Sequence, residues 1–541
     1  MGTRTSVYLM LGLLAAMAPA KADPIKTSGG LVSGVVVSNG AVRAYKGIPF
    51  AKPPVGDLRW RAPQPTEPWT GTLVADKFGP SCMQPDPTPG HSIFTRIFYT
   101  PIKPKSEDCL YLNIWTAASV GEKRPVMVWI PGGGFRGGSS SVEIYDGAEL
   151  AKKGVVLVSV NYRLWKFGFL ALPELSTESE RHASGNYGLL DQIAALQWVK
   201  ENIAAFGGNP DNVTIFGQSA GSVAASFLMM SPLAKGLFHR VIGESGGAFA
   251  PAVSGSPALR GLFISWLQSL PDAEAVGSKL MTALKVSNLV ELRQKSAEEI
   301  LAVPSATRFE SAIPILDRYV LPATADEIFA AGRQNDVPLL LGSTADEGSN
   351  FPVIRAVATF REDARNTLGP LADAFLGVYE ANDDAQAART SAAATRDLRL
   401  AWPTLQWARA QAHTGHSKIF YYYFAHHPPA PPEERFVENL GKDLGAYHGA
   451  ELAYVFGNFV PPEWPWTGTD RELARTISQY WVNFATNGDP NDASGLPQWP
   501  AFDPNASSVL YIDKAITLGP IPNQKYIALW DTFAAKWKAQ Q

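Results

Sequence analysis

Gly217-Gln218-Ser219-Ala220-Gly221 sets a serine between glycines at a change of backbone pattern. Before it, Val213-Thr214-Ile215-Phe216 is a β-branched and aromatic run that suits a buried strand. After it, Ala220 to Met230 is rich in Ala, Leu and Met and stops before Pro232, which suits a helix. A serine on so tight a strand-to-helix turn stands exposed, and the next amide points at the same spot, as an acyl-attacking nucleophile requires. Gly243-Glu244-Ser245-Gly246-Gly247 has the same spacing and comes after Val241-Ile242. Its continuation, Ala248-Phe249-Ala250-Pro251 and then Ser254 to Pro257, cannot start a helix cleanly, so no helix N-terminus would face a developing oxyanion. Ser219 is therefore the expected nucleophile and Ser245 a supporting hydroxyl.

Acyl chemistry also needs donors for negative oxygen, a base and an acid partner for the base. Pro125 to Ile130 reads as a buried strand that runs into Pro131-Gly132-Gly133-Gly134-Phe135. Glycines in a row let backbone amides approach a ligand, so the N–H groups of Gly133, Gly134 and Ala220 are the expected oxyanion hole. Among the eight histidines, His448 lies in a glycine-flanked loop, Gly445-Ala446-Tyr447-His448-Gly449, that leads to a helix at Glu451 to Tyr454. Loops on a rigid scaffold are where catalytic groups concentrate. For the acid, Val337 to Gly342 reads as a strand followed by Ser343-Thr344-Ala345-Asp346-Glu347-Gly348. Spacing alone leaves Asp346 and Glu347 equivalent.

The elements that must hold these groups form an α/β pattern. Strand-like and helix-like segments alternate from about residue 125 to 245, and Leu189 to Ala205 reads as a helix stopped near Gly207. The 260–330 and 350–410 stretches, rich in Ala, Leu and Arg, read as helices over the site. Length arithmetic for 541 residues would give roughly three or four domains. No linker, charge block or repeat divides the chain, so one large α/β domain over 23–541 is the better reading. A net charge of −3 and the lack of a basic run with interleaved aromatics argue against nucleic acid.

Several further stretches resemble one family. They are Glu107-Asp108-Cys109-Leu110-Tyr111-Leu112-Asn113-Ile114, Asn161-Tyr162-Arg163 with Gly168-Phe169-Leu170, Gly185-Asn186-Tyr187-Gly188-Leu189-Leu190-Asp191-Gln192, Gly207-Gly208-Asn209-Pro210, and Trp481 with Phe484-Ala485 and Gly488-Asp489-Pro490-Asn491. With the serine turn, they resemble the type-B carboxylesterases, the family that also contains the cholinesterases, from about residue 30 almost to the end. The resemblance implies the α/β-hydrolase fold, with a large, mostly parallel twisted sheet flanked by helices. It also implies hydrolysis of small-molecule esters without metal or cofactor, and an acyl-enzyme on a Ser219–His448–Glu347 triad. It puts the acid on the Glu of Asp-Glu-Gly, hence Glu347, supports His448 as the base, and has Ser245 hydrogen-bonding near the triad. The order Ser, Glu, His is that of α/β-hydrolases.

Two departures stand out. Relatives usually carry His or Tyr before the oxyanion glycines, where this chain has Pro131, so the loop needs another brace. Trp165-Lys166 replace small or apolar residues, and Lys166 with Arg136 adds charge able to hold a carboxylate-bearing ester. Surface exposure or pairing to acids such as Glu143 is the bland reading of both. Among family members with anionic substrates, the chain is similar to the bacterial fumonisin esterases, which cleave tricarballylate side chains, although it carries no motif unique to them.

At the N-terminus, Arg4, the apolar run Val7–Ala18 and Ala20-Lys21-Ala22 before Asp23 form a secretory signal over 1–22, too short to span a bilayer. Removal of the signal would leave no membrane span. Export to periplasm or medium fits Cys82 and Cys109, the only two cysteines, which an oxidising compartment would pair around residues 83–108; two buried free thiols are the alternative. In cholinesterases such a loop carries a Trp for the choline cation. Residues 83–108 have none, which argues against choline esters. A lipase or transacylase on the same fold is the main alternative. The family's catalytically dead adhesion proteins are a further one, and those lack the nucleophile that Ser219 supplies.

Overall fold

In a computed structural model the described residues are 20–538, apart from 88–91, 100, 101, 103, 120, 250–265, 305–312, 350, 352, 432, 435, 437–443, 493, 494, 506 and 507. The leader segment expected over 1–22 lies outside them up to residue 19. Of its end, Ala22 N–H donates to the Gly34 carbonyl (2.9 Å) and Val36 N–H to that of Ala20 (2.8 Å), so Ala20–Ala22 lines the edge of the sheet.

Eleven strands form the central sheet: β1 Val35–Val37, β2 Val42–Pro49, β3 Tyr111–Thr116, β4 Arg124–Ile130, β5 Val156–Val160, β6 Gly208–Gln218, β7 Arg240–Glu244, β8 Leu339–Thr344, β9 Ile419–Phe424, β10 Ser508–Ile512 and β11 Ile516–Pro520. Their spatial order is β1-β2-β3-β5-β4-β6-β7-β8-β9-β10-β11. Every pair from β5 across to β10 is parallel; antiparallel pairs occur only toward the two edges. The order reverses once, at β4 and β5, and ligands of open α/β sheets bind beyond the carboxyl ends of strands near such a reversal.

Strands buried on both faces read as continuous apolar runs, and β4 and β5 do. Val126, Val128 and Ile130 of β4 enter one core, whereas Met127 and Trp129 enter the other, as the period of two requires. The first core receives helix α1, Tyr187–Asn202, through Leu189, Ile193 and Leu196, and helix α2, Ala220–Met230, through Val223, Phe227 and Leu228. The second receives α3, Gly468–Asn487, through Ile477, Trp481 and Phe484. A single turn, Ile203–Phe206, extends α1, and Gly207 ends it at φ 82°. Helices also occupy the stretches expected to roof the site, among them Leu270–Leu284, Val357–Leu368 and Trp402–Thr414.

The family stretches have physical jobs. Arg163 forms a fork on Asp191 of α1 (Nε to Oδ2 2.8 Å, Nη2 to Oδ1 2.7 Å), and the Arg163 amide donates to the same carboxylate (3.0 Å). Both side chains are buried, so the pair ties the loop after β5 to α1 with no water to replace either partner. Arg59 closes a second fork on Glu107, and Cys82 and Cys109 are joined in a disulfide.

Asp191→Ala leaves a buried guanidinium unpaired and is expected to lower the unfolding free energy by about 3–5 kcal/mol, read from the urea midpoint. The double replacement Arg163→Met, Asp191→Leu should cost less than that single change, because it leaves no orphan charge.

Candidate active site

β6 and α2 meet at Ser219, which sits at φ 59° and ψ −125°. This is a strained setting for a non-glycine residue, and the flanking glycines make it attainable. A Cβ on Gly221 would collide with the Ile130 carbonyl, and one on Gly217 with the backbone of Gly221. The Ser219 amide is fixed by the Glu244 carbonyl of β7 (2.8 Å). Ser219 is partly exposed between buried Gln218 and Ala220. Ser245, at the end of β7, shares the unusual φ (58°) yet is wholly buried. Its hydroxyl lies 3.5 Å from Glu451 Oε1 as a donor, so it faces the interior.

β8 runs to Thr344, two residues beyond the expected strand, and places Asp346 and Glu347 on the turn that ends it. Here the two acids separate. Glu347 is buried; its Oε1 accepts from the Thr344 amide (2.8 Å) and its Oε2 is in close contact with Nδ1 of His448. Asp346 turns instead to the backbone of the histidine loop, accepting from the Ala446 amide at 2.9 Å. His448 is flanked by the rings of Phe94 and Phe351, 6.4 and 5.3 Å away between centroids.

Gln218, the residue before Ser219, has its amide nitrogen 3.2 Å from Nδ1 and 3.1 Å from Nε2 of His448. A donor in the imidazole plane could reach one ring nitrogen at that range but not both. The Gln218 amide therefore lies over the ring face, while Glu347 takes Nδ1, and this contact brings the imidazole against the residue next to Ser219.

Gly133 and Gly134 adopt φ 116° and 65°, and a Cβ on Gly133 would strike the Gly137 carbonyl. Among the described residues neither amide donates to a carbonyl or side chain, and the Ala220 amide opens α2, where no intrahelical acceptor exists. The loop that Pro131 enters is braced by the Tyr162 hydroxyl on the Pro131 carbonyl (2.8 Å) and by Gln84, which exchanges two hydrogen bonds of 2.9 Å with Gly138.

Arg136 lies over the Trp165 ring, 4.8 Å from its centroid, and Lys166 lies 4.2 Å from the same ring. The Lys166 ammonium donates to the carbonyls of Ile300 (2.9 Å) and Val303, at the C-terminal end of the helix Ala297–Ala302. Burial and the neighbouring Arg136 charge push its pKa down to about 8. Of the two cations, Lys166 is thus committed to a helix end.

Behind the serine turn lie two further buried carboxylates whose roles the sequence did not reveal. Glu244 Oε1 accepts from the Trp481 indole N–H (2.6 Å), and burial pushes its pKa up to about 8 against that bond. Burial, then the nearby Glu244 and Glu347 charges, raise Glu451 well above the carboxylate range. Gln218 and Phe94 were equally silent; the only signals were the variable position of the serine motif and the place of Phe94 between the two cysteines.

A strained serine at a strand-to-helix turn, a histidine–carboxylate pair from later strands and a glycine loop define an α/β-hydrolase. The Carboxylesterase family matches residues 21–530, and the chain belongs to it. It is 38% identical over 514 residues to a fumonisin B1 esterase of Sphingopyxis macrogoltabida, covering 91% of this chain and 88% of the relative. It is 36% identical over 512 residues to a para-nitrobenzyl esterase of Bacillus subtilis (strain 168), covering 93% and 97%. An acetylcholinesterase of Bungarus fasciatus is 33% identical over 554 residues, covering 96% and 88%. The chain is a carboxylic ester hydrolase.

A carboxyl whose folded pKa exceeds its unfolded value holds its proton longer in the native state. The stability it contributes is complete below the unfolded pKa and declines as pH rises toward the folded one. For Glu244 that window runs from the ordinary carboxylate range up to about 8. Glu244→Gln should therefore flatten the fall in Tm between pH 5 and 8, measured by thermal scans across that range.

Proposed function

We propose that the protein hydrolyses carboxylic esters through Ser219, His448 and Glu347, with an acyl-enzyme intermediate. The observation that carries this reading is the contact of Gln218, the residue before the strained, partly exposed Ser219, with the His448 ring of the buried Glu347–His448 pair. His448, holding Nδ1–H on Glu347, takes the Ser219 proton at Nε2 as Oγ attacks the ester carbonyl carbon. The amides of Gly133, Gly134 and Ala220 receive the oxyanion. Collapse of the tetrahedral adduct expels the alkoxide, which leaves as the alcohol with the proton from Nε2. Water, deprotonated by the same nitrogen, then releases the acid and restores Ser219.

The preferred substrates on this reading are bulky or carboxylate-bearing esters, the tricarballylate esters of fumonisins being one such type. Arg136 supports it, being two residues beyond Gly134 and held against Trp165, and so does the likeness to a fumonisin B1 esterase. The reading also has one hydrolase domain from Asp23 onward, exported after loss of residues 1–22. Among the described residues no helix is long and apolar enough to cross a membrane.

The test is kcat/KM on paired esters that share an alcohol and differ by one free carboxylate. Ser219→Ala is expected to lose about 10⁴-fold or more on both. Arg136→Ala should lose about 10–100-fold on the anionic ester alone, the range of one hydrogen bond to a charged group. A wild-type preference for the neutral ester would remove the anionic-substrate reading and leave the triad untouched.

A further inference from the structure

Beside the Glu347–His448 contact, the acid turn and the histidine loop are joined by bonds that the chemistry itself does not use. The Asp346 amide donates to the Ala446 carbonyl (2.9 Å), and the Ala446 amide returns a bond to Asp346 Oδ2 (2.9 Å). Asp346 pairs with Tyr447 as an isolated parallel bridge. The Ser349 amide closes the turn on the Asp346 carbonyl (2.8 Å), and the Ser349 hydroxyl reaches the Leu444 carbonyl (3.1 Å). Gly445 sits at φ 68°, where a Cβ would collide with the Asp346 carboxylate. The carboxylate therefore lies flat on the loop backbone just before the histidine.

We infer that Asp346 is a positioning residue for His448: its main chain and carboxylate fix the register of residues 444–447 against the acid turn, so that the next residue of each segment, Glu347 and His448, meet. The inference rests on the triad proposed above. The Asp346 side chain is 43% exposed, so its charge is screened by water. What matters is an acceptor oxygen at one place, and an amide can supply that oxygen where a methyl group cannot. Loss of the clamp would displace the base from the nucleophile, and misplacement of about 1 Å can cost 10²-fold in turnover.

The experiment compares full-length wild type, Asp346→Ala, Asp346→Asn and Ser349→Ala on a p-nitrophenyl ester. Active sites are counted by stoichiometric organophosphate titration, so kcat is expressed per competent site. Asp346→Ala is expected to lower kcat per site by about 10²-fold with KM unchanged, Asp346→Asn to restore most of it, and Ser349→Ala to fall between. A wild-type kcat per site in Asp346→Ala, or Asn as damaging as Ala, overturns the inference. Should Asp346→Ala not fold, Ser349→Ala decides alone, and an unchanged kcat per site there overturns it. Full turnover by Ser219→Ala, run alongside, would instead overturn the triad on which the inference rests.

Discussion

Ser219 is held at φ 59° and ψ −125°, a conformation that costs of order 1–3 kcal/mol and persists only where the surroundings leave no other. The surroundings can be named. Gly217 and Gly221 allow the chain to double back within touching distance of the Ile130 carbonyl, and the Glu244 carbonyl of β7 pins the Ser219 amide. The same closeness brings the end of β4, and the glycine loop after it, beside the serine. Relaxing the turn would withdraw Ser219, the Ala220 amide and the Gly133–Gly134 loop together. Parallel strands hydrogen-bonded on both sides and buried on both faces supply the rigidity against which that strain is held.

Around this point the interior is more charged than an ordinary core. Glu244, Glu347 and Glu451 are all buried near one another. One is drawn to His448, one to the Trp481 indole, and the third is pushed well above the carboxylate range by burial and by its two neighbours. On the outer side, Phe94 and Phe351 replace water against the imidazole, which strengthens every electrostatic contact inside. Pro131, lacking an N–H, is compensated by hydrogen bonds on its carbonyl and farther along the loop rather than at its own amide.

Much of this was legible in the sequence, and the boundary is physical. Turn chemistry is local: two glycines around a serine, between a β-branched run and an Ala-rich run, admit few backbone paths, and β6, α2, β4 and the glycine loop lie where the residues imply. The Leu189–Ala205 helix and its Gly207 stop were legible for the same reason. Side-chain destinations are not local. Asp346 and Glu347 are equivalent by spacing, and only the packing of β8 beside the histidine loop decides which of them meets an imidazole. Ser245 shares the motif and the unusual φ of Ser219, but its hydroxyl points to Glu451 in the interior and the residue is wholly buried. Lys166 reads as a cation for substrate, for solvent or for a nearby acid, and only the fold brings it to the carbonyls at the end of the helix Ala297–Ala302. Gln218 carries no signal beyond its place in the serine motif, because lying over an imidazole is a property of the fold.

If the proposed triad operates, acyl groups pass through Ser219. The most direct measurement is to quench the enzyme in acid during turnover of a slowly deacylating ester, determine the intact mass, and map the modified peptide. One acyl group per chain is expected, on the peptide containing Ser219, and none on the Ser219→Ala variant. Acyl groups on the Ser245 peptide, or turnover at full rate with no covalent adduct under any quench, would contradict it.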